Sequence, residues 1–154
     1  MPMKFVKESY IAAPPEKVFG FHELPDAFER LIPPWENITV IQKAAISKVG
    51  SRAIIEQKLF GLIPSRLVAE HIAYDPPRMF EDVQISGPFS QWRHKHIVRP
   101  EGSGSLLVDD IDYEPPGWFV GRLLDPLLVR PKLEKLFEFR HKVTREWCEG
   151  AEGS

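Results

Sequence analysis

The sequence has a single cysteine, Cys148, among its 154 residues, so an intrachain disulfide and a multi-cysteine zinc site are both excluded. No apolar run approaches the ~18 residues of a membrane helix. The opening Met1-Pro2-Met3-Lys4 leads into alternating sequence without the apolar core of a signal peptide. Excess charge of one sign is also lacking: 20 Lys and Arg stand against 22 Asp and Glu, a formal net charge of −2. A dedicated nucleic-acid binder usually carries a clustered basic excess, so no nucleic-acid partner is expected. There is no Gly-rich phosphate loop, no nucleophile elbow and no His-Glu-x-x-His, which removes the usual supports of hydrolase and nucleotide-enzyme readings. These absences point to a cytoplasmic protein without stable membrane insertion.

Proline is abundant instead. There are 15, roughly twice the ~5% average share. Four pairs, Pro14-Pro15, Pro33-Pro34, Pro76-Pro77 and Pro115-Pro116, separate apolar-rich stretches, so they read as punctuation between elements and not as disorder. With 43% hydrophobic residues, the chain suffices for one core. One domain is expected over residues 1–149, with 150–154 as a disordered tail.

Residues 4–12 alternate and predict a strand. Pro14-Pro15-Glu16-Lys17 opens a helix, because proline suits a first turn and Glu16 suits the positive helix end. A second short helix starts at Pro25-Asp26 and is stopped by Pro33-Pro34. Strands follow over 38–44, 53–60, 65–74, 78–86, 90–99 and 105–113, joined by short turns, which predicts an antiparallel meander. Asp125-Pro126 and Arg130-Pro131 forbid one continuous helix from Trp118, so a short helix or turns should precede a main helix over 131–147. Leu133, Leu136, Phe137, Val143 and Trp147 form its apolar stripe. The fold class is therefore α+β, in the order β-α-α-β6-α, with the last helix lying across a curved sheet.

That order, with its residues, resembles the START-like (SRPBCC) superfamily, and within it small bacterial single-domain members of the cyclase/dehydrase-like type. The likeness is carried by Ala13-Pro14-Pro15-Glu16-Lys17-Val18-Phe19, Ala69-Glu70-His71 and Pro76-Pro77-Arg78-Met79-Phe80. It continues in Gly87-Pro88-Phe89-Ser90-Gln91-Trp92-Arg93-His94-Lys95-His96, in Asp109-Asp110-Ile111-Asp112-Tyr113-Glu114-Pro115 and in Leu136-Phe137-Glu138-Phe139-Arg140-His141. The resemblance implies a helix-grip fold, a seven-stranded antiparallel sheet wrapped around a long C-terminal helix. Members include lipid carriers, hormone receptors, aromatase/cyclases and oxygenase subunits, so it implies no single activity.

Strand parity supplies the sharpest functional clue. Trp92, His94, His96 and Val98 share one face of their strand, and Leu107, Asp109, Ile111 and Tyr113 share the apolar face of the next. Consecutive strands pair, so Asp109 is expected near His94 or His96. Arg140 places a cation on or beside the helix stripe. Three readings stay open for this group. It is a hydrogen-bonded network that fixes sheet to helix. Or it lines the polar end of a cavity walled by Trp92, Phe89, Ile55, Leu59 and Phe137. Or it performs metal or acid–base chemistry, with further ligands drawn from His71, Asp82 or Asp109.

The leading expectation is a small hydrophobic ligand, lipophilic or aromatic, held between sheet and last helix. Its contacts are expected among Trp35, Ile55, Leu59, Phe89, Trp92, His94, His96, Asp109, Ile111, Tyr113, Phe137 and Arg140. The alternative is a polyketide cyclase/dehydrase-like enzyme, with His94, His96 and Asp109 as catalytic candidates. No metal and no cofactor is expected, and the chain should be a monomer or weak homodimer. Trp35 reads as a hydrophobic plug more readily than a gate, and Trp118 and Phe119 as ordinary packing more readily than a mobile lip.

Overall fold

The computed structural model describes residues 2–59 and 61–150. The chain forms β1 (Met3–Ile11), α1 (Pro15–His22), α2 (Ala27–Arg30), β2 (Ile38–Gln42), β3 (Arg52–Leu59), β4 (Ile63–Asp75), β5 (Met79–Ser86), β6 (Gln91–Glu101), β7 (Gly104–Glu114), α3 (Trp118–Leu128) and α4 (Arg130–Glu149). All seven strands join one antiparallel sheet in the order β1-β7-β6-β5-β4-β3-β2. Sequence neighbours pair throughout, except that β1 closes against β7. This is the helix-grip architecture that the resemblance implies, and it agrees with the order of elements. The end of the 53–60 strand at Phe60, and the tail beyond Gly150, fall outside the described residues.

The prolines fall where predicted. Pro15 opens α1 with Glu16 in its first turn, and Val18, Phe19 and Phe21 turn inward. Pro76-Pro77 lies in the turn between β4 and β5. Two helical details differ from expectation. The second short helix shrinks to one turn, Ala27–Arg30. The segment before the main helix is a regular eleven-residue helix containing Pro126. Pro126 sits near its end, where one missing N–H matters little, and the Val129 N–H closes back on the Asp125 carbonyl at 3.1 Å. Phe119, Leu123 and Leu127 on α3 face solvent.

Two apolar clusters hold sheet and helices together. One gathers Ile11, Val18, Phe19, Phe21, Phe80, Val98, Leu107 and Cys148 under α1 and the end of α4. The other joins Phe5, Ile111 and Tyr113 of the sheet to Leu133 and Phe137 of α4. The buried face of α4 is Leu133, Phe137, His141, Thr144 and Cys148, while Leu136, Val143 and Trp147 lie at its margins. The stripe is therefore rotated from the purely apolar one, and a histidine occupies its middle.

Tyr113 ties β7 to α3. Its hydroxyl donates to both carboxylate oxygens of the fully buried Asp125, at 2.8 and 3.1 Å. Burial and that carboxylate push the phenol up to about 12, so it stays a donor. In Tyr113→Phe the carboxylate loses its hydroxyl donor and keeps the charges of Arg130, at 3.7 Å, and of Arg122. Urea unfolding should then show a loss of about 1–3 kcal/mol. A loss within ~0.3 kcal/mol of zero would mean that the bond contributes nothing net.

Candidate functional site

Pleat and register bring the polar groups together. His96 pairs with Asp109 across β6 and β7, Asp82 pairs with His94 across β5 and β6, and His71 pairs with Asp82 across β4 and β5. All four strands point these side chains to the concave face, and His141 comes down onto them from α4. Asp109 accepts from His94 Nε2 on Oδ1 and from His141 Nε2 on Oδ2, both at 2.6 Å. With its Nε2–H given to Asp109, His141 uses Nδ1 to accept from the Ser9 hydroxyl at 2.8 Å. His96 donates from Nε2 to Asp82 at 2.7 Å, and its Nδ1 lies 3.4 Å from Asp109.

Aromatic stacking fixes the ring planes. His96 lies between Phe80, with centroids 4.0 Å apart and planes at 12°, and His94, at 3.6 Å and 25°. His22 from α1 approaches His96 at 6.5 Å between centroids and donates from Nδ1 to the Val18 carbonyl. The chain has five histidines, and all five, His22, His71, His94, His96 and His141, stand in this one region around Asp82 and Asp109.

The electrostatics follow from burial and pairing. Burial alone would raise the Asp109 carboxyl, but the hydrogen bonds from His141 and His94 outweigh it and hold it well below the usual carboxylate range. Asp82 is lowered as well, its burial overcome by the hydrogen bond and charge of His96. Burial pushes His22 down to about 4, and lowers His96 and His71 too. Arg140 has a solvent-shielded Nε with no hydrogen-bond partner, and its guanidinium stands 5.3 Å from the Phe137 ring centroid. Burial opposes its charge, while Asp109, Asp82 and Glu36 favour it through space.

The residues expected to contact a ligand divide into four groups. His94, His96, Asp109 and Arg140 are assembled at one place. Ile111, Tyr113 and Phe137 are fully buried, and Phe89 and Trp92 pack against them, so at that end the structure has a filled core where the sequence suggested cavity walls. Large aromatic side chains from β1, β7 and α4 fill the space themselves, with Phe5 and Phe137 at 5.6 Å between centroids. Ile55 and Leu59 lie on β3 in the other half of the sheet. Trp35, 45% exposed, lies edge-on to Phe139 at 5.4 Å with the Lys135 ammonium 4.3 Å above its ring. It packs on α4 through Lys135 and Phe139. The Trp118 side chain is outside the described residues, and Phe119 is 67% exposed.

A hollow of about 20 Å³ adjoins the histidines, lined by His22, Leu31, His96, Leu107, Asp109, Arg140, His141 and Thr144. That is room for one water molecule. A wider, shallow depression of about 400 Å³ lies over β2–β4, bordered by Thr39, Glu56, Lys58 and Arg66. Its rim is polar and it is remote from the histidines.

The concave face of β2–β5 is different again. Ile38, Val40, Ala53, Leu67 and Ala69 point to it and remain half-buried, because α4 rests on β1, α1 and α3 and leaves this half of the sheet partly uncovered.

Sequence reasoning did not place His141 or His22 at the site, and it named Asp82 and His71 only as possible further ligands whose facing stayed open. His141 was legible in principle, since 133, 137 and 141 recur at four-residue steps on one helix face. The facing of His71 and Asp82 was hidden by a register shift between His71 and Ala73.

A model of the polyketide cyclase / dehydrase and lipid transport family matches residues 11–133. No curated protein matches the sequence. Among solved structures, TTHA0849 from Thermus thermophilus superposes with a TM-score of 0.73 at 22% identity, covering 94% of this chain and 95% of that one. CV1439 from Chromobacterium violaceum gives 0.70 at 14%, covering 94% and 96%. Ara h 8.0201 gives 0.69 at 15%, covering 96% and 97%. These likenesses establish the fold. No helix among the described residues is long and apolar enough to cross a membrane.

Proposed function

The chain belongs to the polyketide cyclase / dehydrase and lipid transport family, and from that premise we propose that it is a cytoplasmic protein binding a small lipophilic or aromatic molecule against the concave face of β2–β5. The molecule's polar end meets His96 and Arg140. One observation carries this reading: the apolar residues Ile38, Val40, Ala53, Leu67 and Ala69 face inward yet stay half-covered, beside a core closed over Ile111 and Phe137. Ligand sites are mostly apolar with a few directing polar groups. Here the directing group is the guanidinium whose Nε lacks a partner.

Native mass spectrometry of gently purified protein, followed by titration with the fluorescent fatty acid cis-parinaric acid, tests the proposal. The probe should bind, and Leu67→Trp, which fills the open face, should weaken it at least tenfold, about 1.4 kcal/mol, while the melting temperature holds. Binding that is absent, or indifferent to Leu67→Trp, rules the site out.

A second reading rests on a separate observation. His96 lies between two carboxylates and also lines the small hollow, which suits an imidazole for general acid–base work on a carbonyl compound. A β-polyketone offered in the same assay distinguishes the two. Turnover lost in His96→Gln, with probe binding kept, favours the cyclase/dehydrase-like enzyme.

A further inference from the structure

We infer that Asp82, His94 and His96 form a binding site for one divalent transition-metal ion of the zinc class. Each offers one ligand atom, and the three atoms lie within 4.8 Å of one another. Their side chains are 14%, 4% and 14% exposed, so this is an interior cluster and not a surface collection of acids. Two adjacent strands hold it, β5 supplying the carboxylate and β6 the two imidazoles.

Two imidazoles and a carboxylate are the donor set of many zinc sites that keep a fourth position open. The groups behind the ligands fit as well. Asp109 accepts from His94, faces Nδ1 of His96 and is pinned by His141, which is the carboxylate-behind-histidine arrangement that orients metal-bound imidazoles. On the neighbouring strand, His71 pairs with Asp82 and its Nδ1 is buried with no hydrogen-bond partner.

His96 Nε2 and Asp82 Oδ2 stand 2.7 Å apart as a hydrogen bond. Zinc–ligand bonds of about 2.0–2.1 Å at tetrahedral angles would set them ~3.3 Å apart. The stacked rings of His94 and His96 must also fan open to aim both nitrogens at one point. These are side-chain rotations on fixed strands. Imidazole with carboxylate oxygen suits zinc or cobalt(II), and the lack of any cysteine here disfavours thiophilic ions.

The experiment uses untagged full-length protein, stripped with EDTA and titrated with Co²⁺ alone. One equivalent should bind and give the visible d–d bands of a four- or five-coordinate ion, and Zn²⁺ should displace it and raise the melting temperature. Asp82→Asn, which keeps shape and most hydrogen bonding, should weaken Co²⁺ binding by at least tenfold, as should His96→Gln. Trp35→Leu, against Phe139 on α4 and away from the ligand set, should leave it within threefold. Absence of the bands in folded wild-type protein overturns the site, and so does binding that survives both ligand substitutions. Neither outcome bears on the hydrophobic probe, which is read on Leu67→Trp.

Discussion

Asp109→Ala is expected to cost about 3–5 kcal/mol of folding free energy, because removing one member of a buried charged cluster leaves the others uncompensated. His94 and His141, 3% and 2% exposed, both direct a ring N–H at this carboxylate and would lose that acceptor. At ~2–4 °C per kcal/mol for a chain of this size, the melting temperature should fall by roughly 10 °C. Asp109→Asn keeps one carbonyl oxygen and should lose less. The triple replacement of Asp109, His94 and His141 by leucine removes every orphan at once and should recover much of the loss, since well-packed apolar groups often match a buried ionic cluster. Circular dichroism melts of the set decide the matter. An alanine variant within 1 kcal/mol of wild type would show that the network is not structural.

That network also shows what a sequence reveals and what it withholds. Strand faces follow a period of two without exception where no bulge intervenes, so His94, His96 and Asp109 were legible as inward neighbours on β6 and β7. The alternation breaks in β4, where the register shifts between His71 and Ala73, and the same face could not be followed into β5. On α4 an apolar stripe through Leu136 and Val143 looked as good as the true one. A buried histidine counts as polar in any hydropathy pattern, so His141 was passed over for Arg140, its neighbour. The order of elements and the proline corners were legible because each proline acts locally, through a fixed φ and a missing donor. A packed aromatic core and an aromatic cavity wall share one alternating pattern. Only the volumes of Phe5, Phe137 and Tyr113 meeting in space close the core at that end.

Acidification from pH 7 to pH 5 is expected to remove about 2 kcal/mol of stability through His22 alone, measured by urea unfolding with EDTA present. In the unfolded chain His22 takes up a proton near its ordinary 6.5, whereas in the folded protein burial among Phe21, Phe80 and His96 holds it down to about 4. Between those two values the unfolded state binds more protons, so stability is complete above about 6.5 and drains as pH falls toward 4. His96 and His71 are lowered by burial in the same sense and should steepen the loss. Asp82 and Asp109 act lower on the scale. Both carboxyls are held below their ordinary 3.8, so what they contribute is intact at pH 5 and disappears only as pH drops through their folded values. Two windows therefore separate the histidines from the aspartates. His22→Leu should flatten the pH 5–7 window by about 2 kcal/mol and leave the acid limb below pH 4 in place. Wild-type stability that is level from pH 7 to 5 would mean that His22 is hydrated and titrates freely in the native fold.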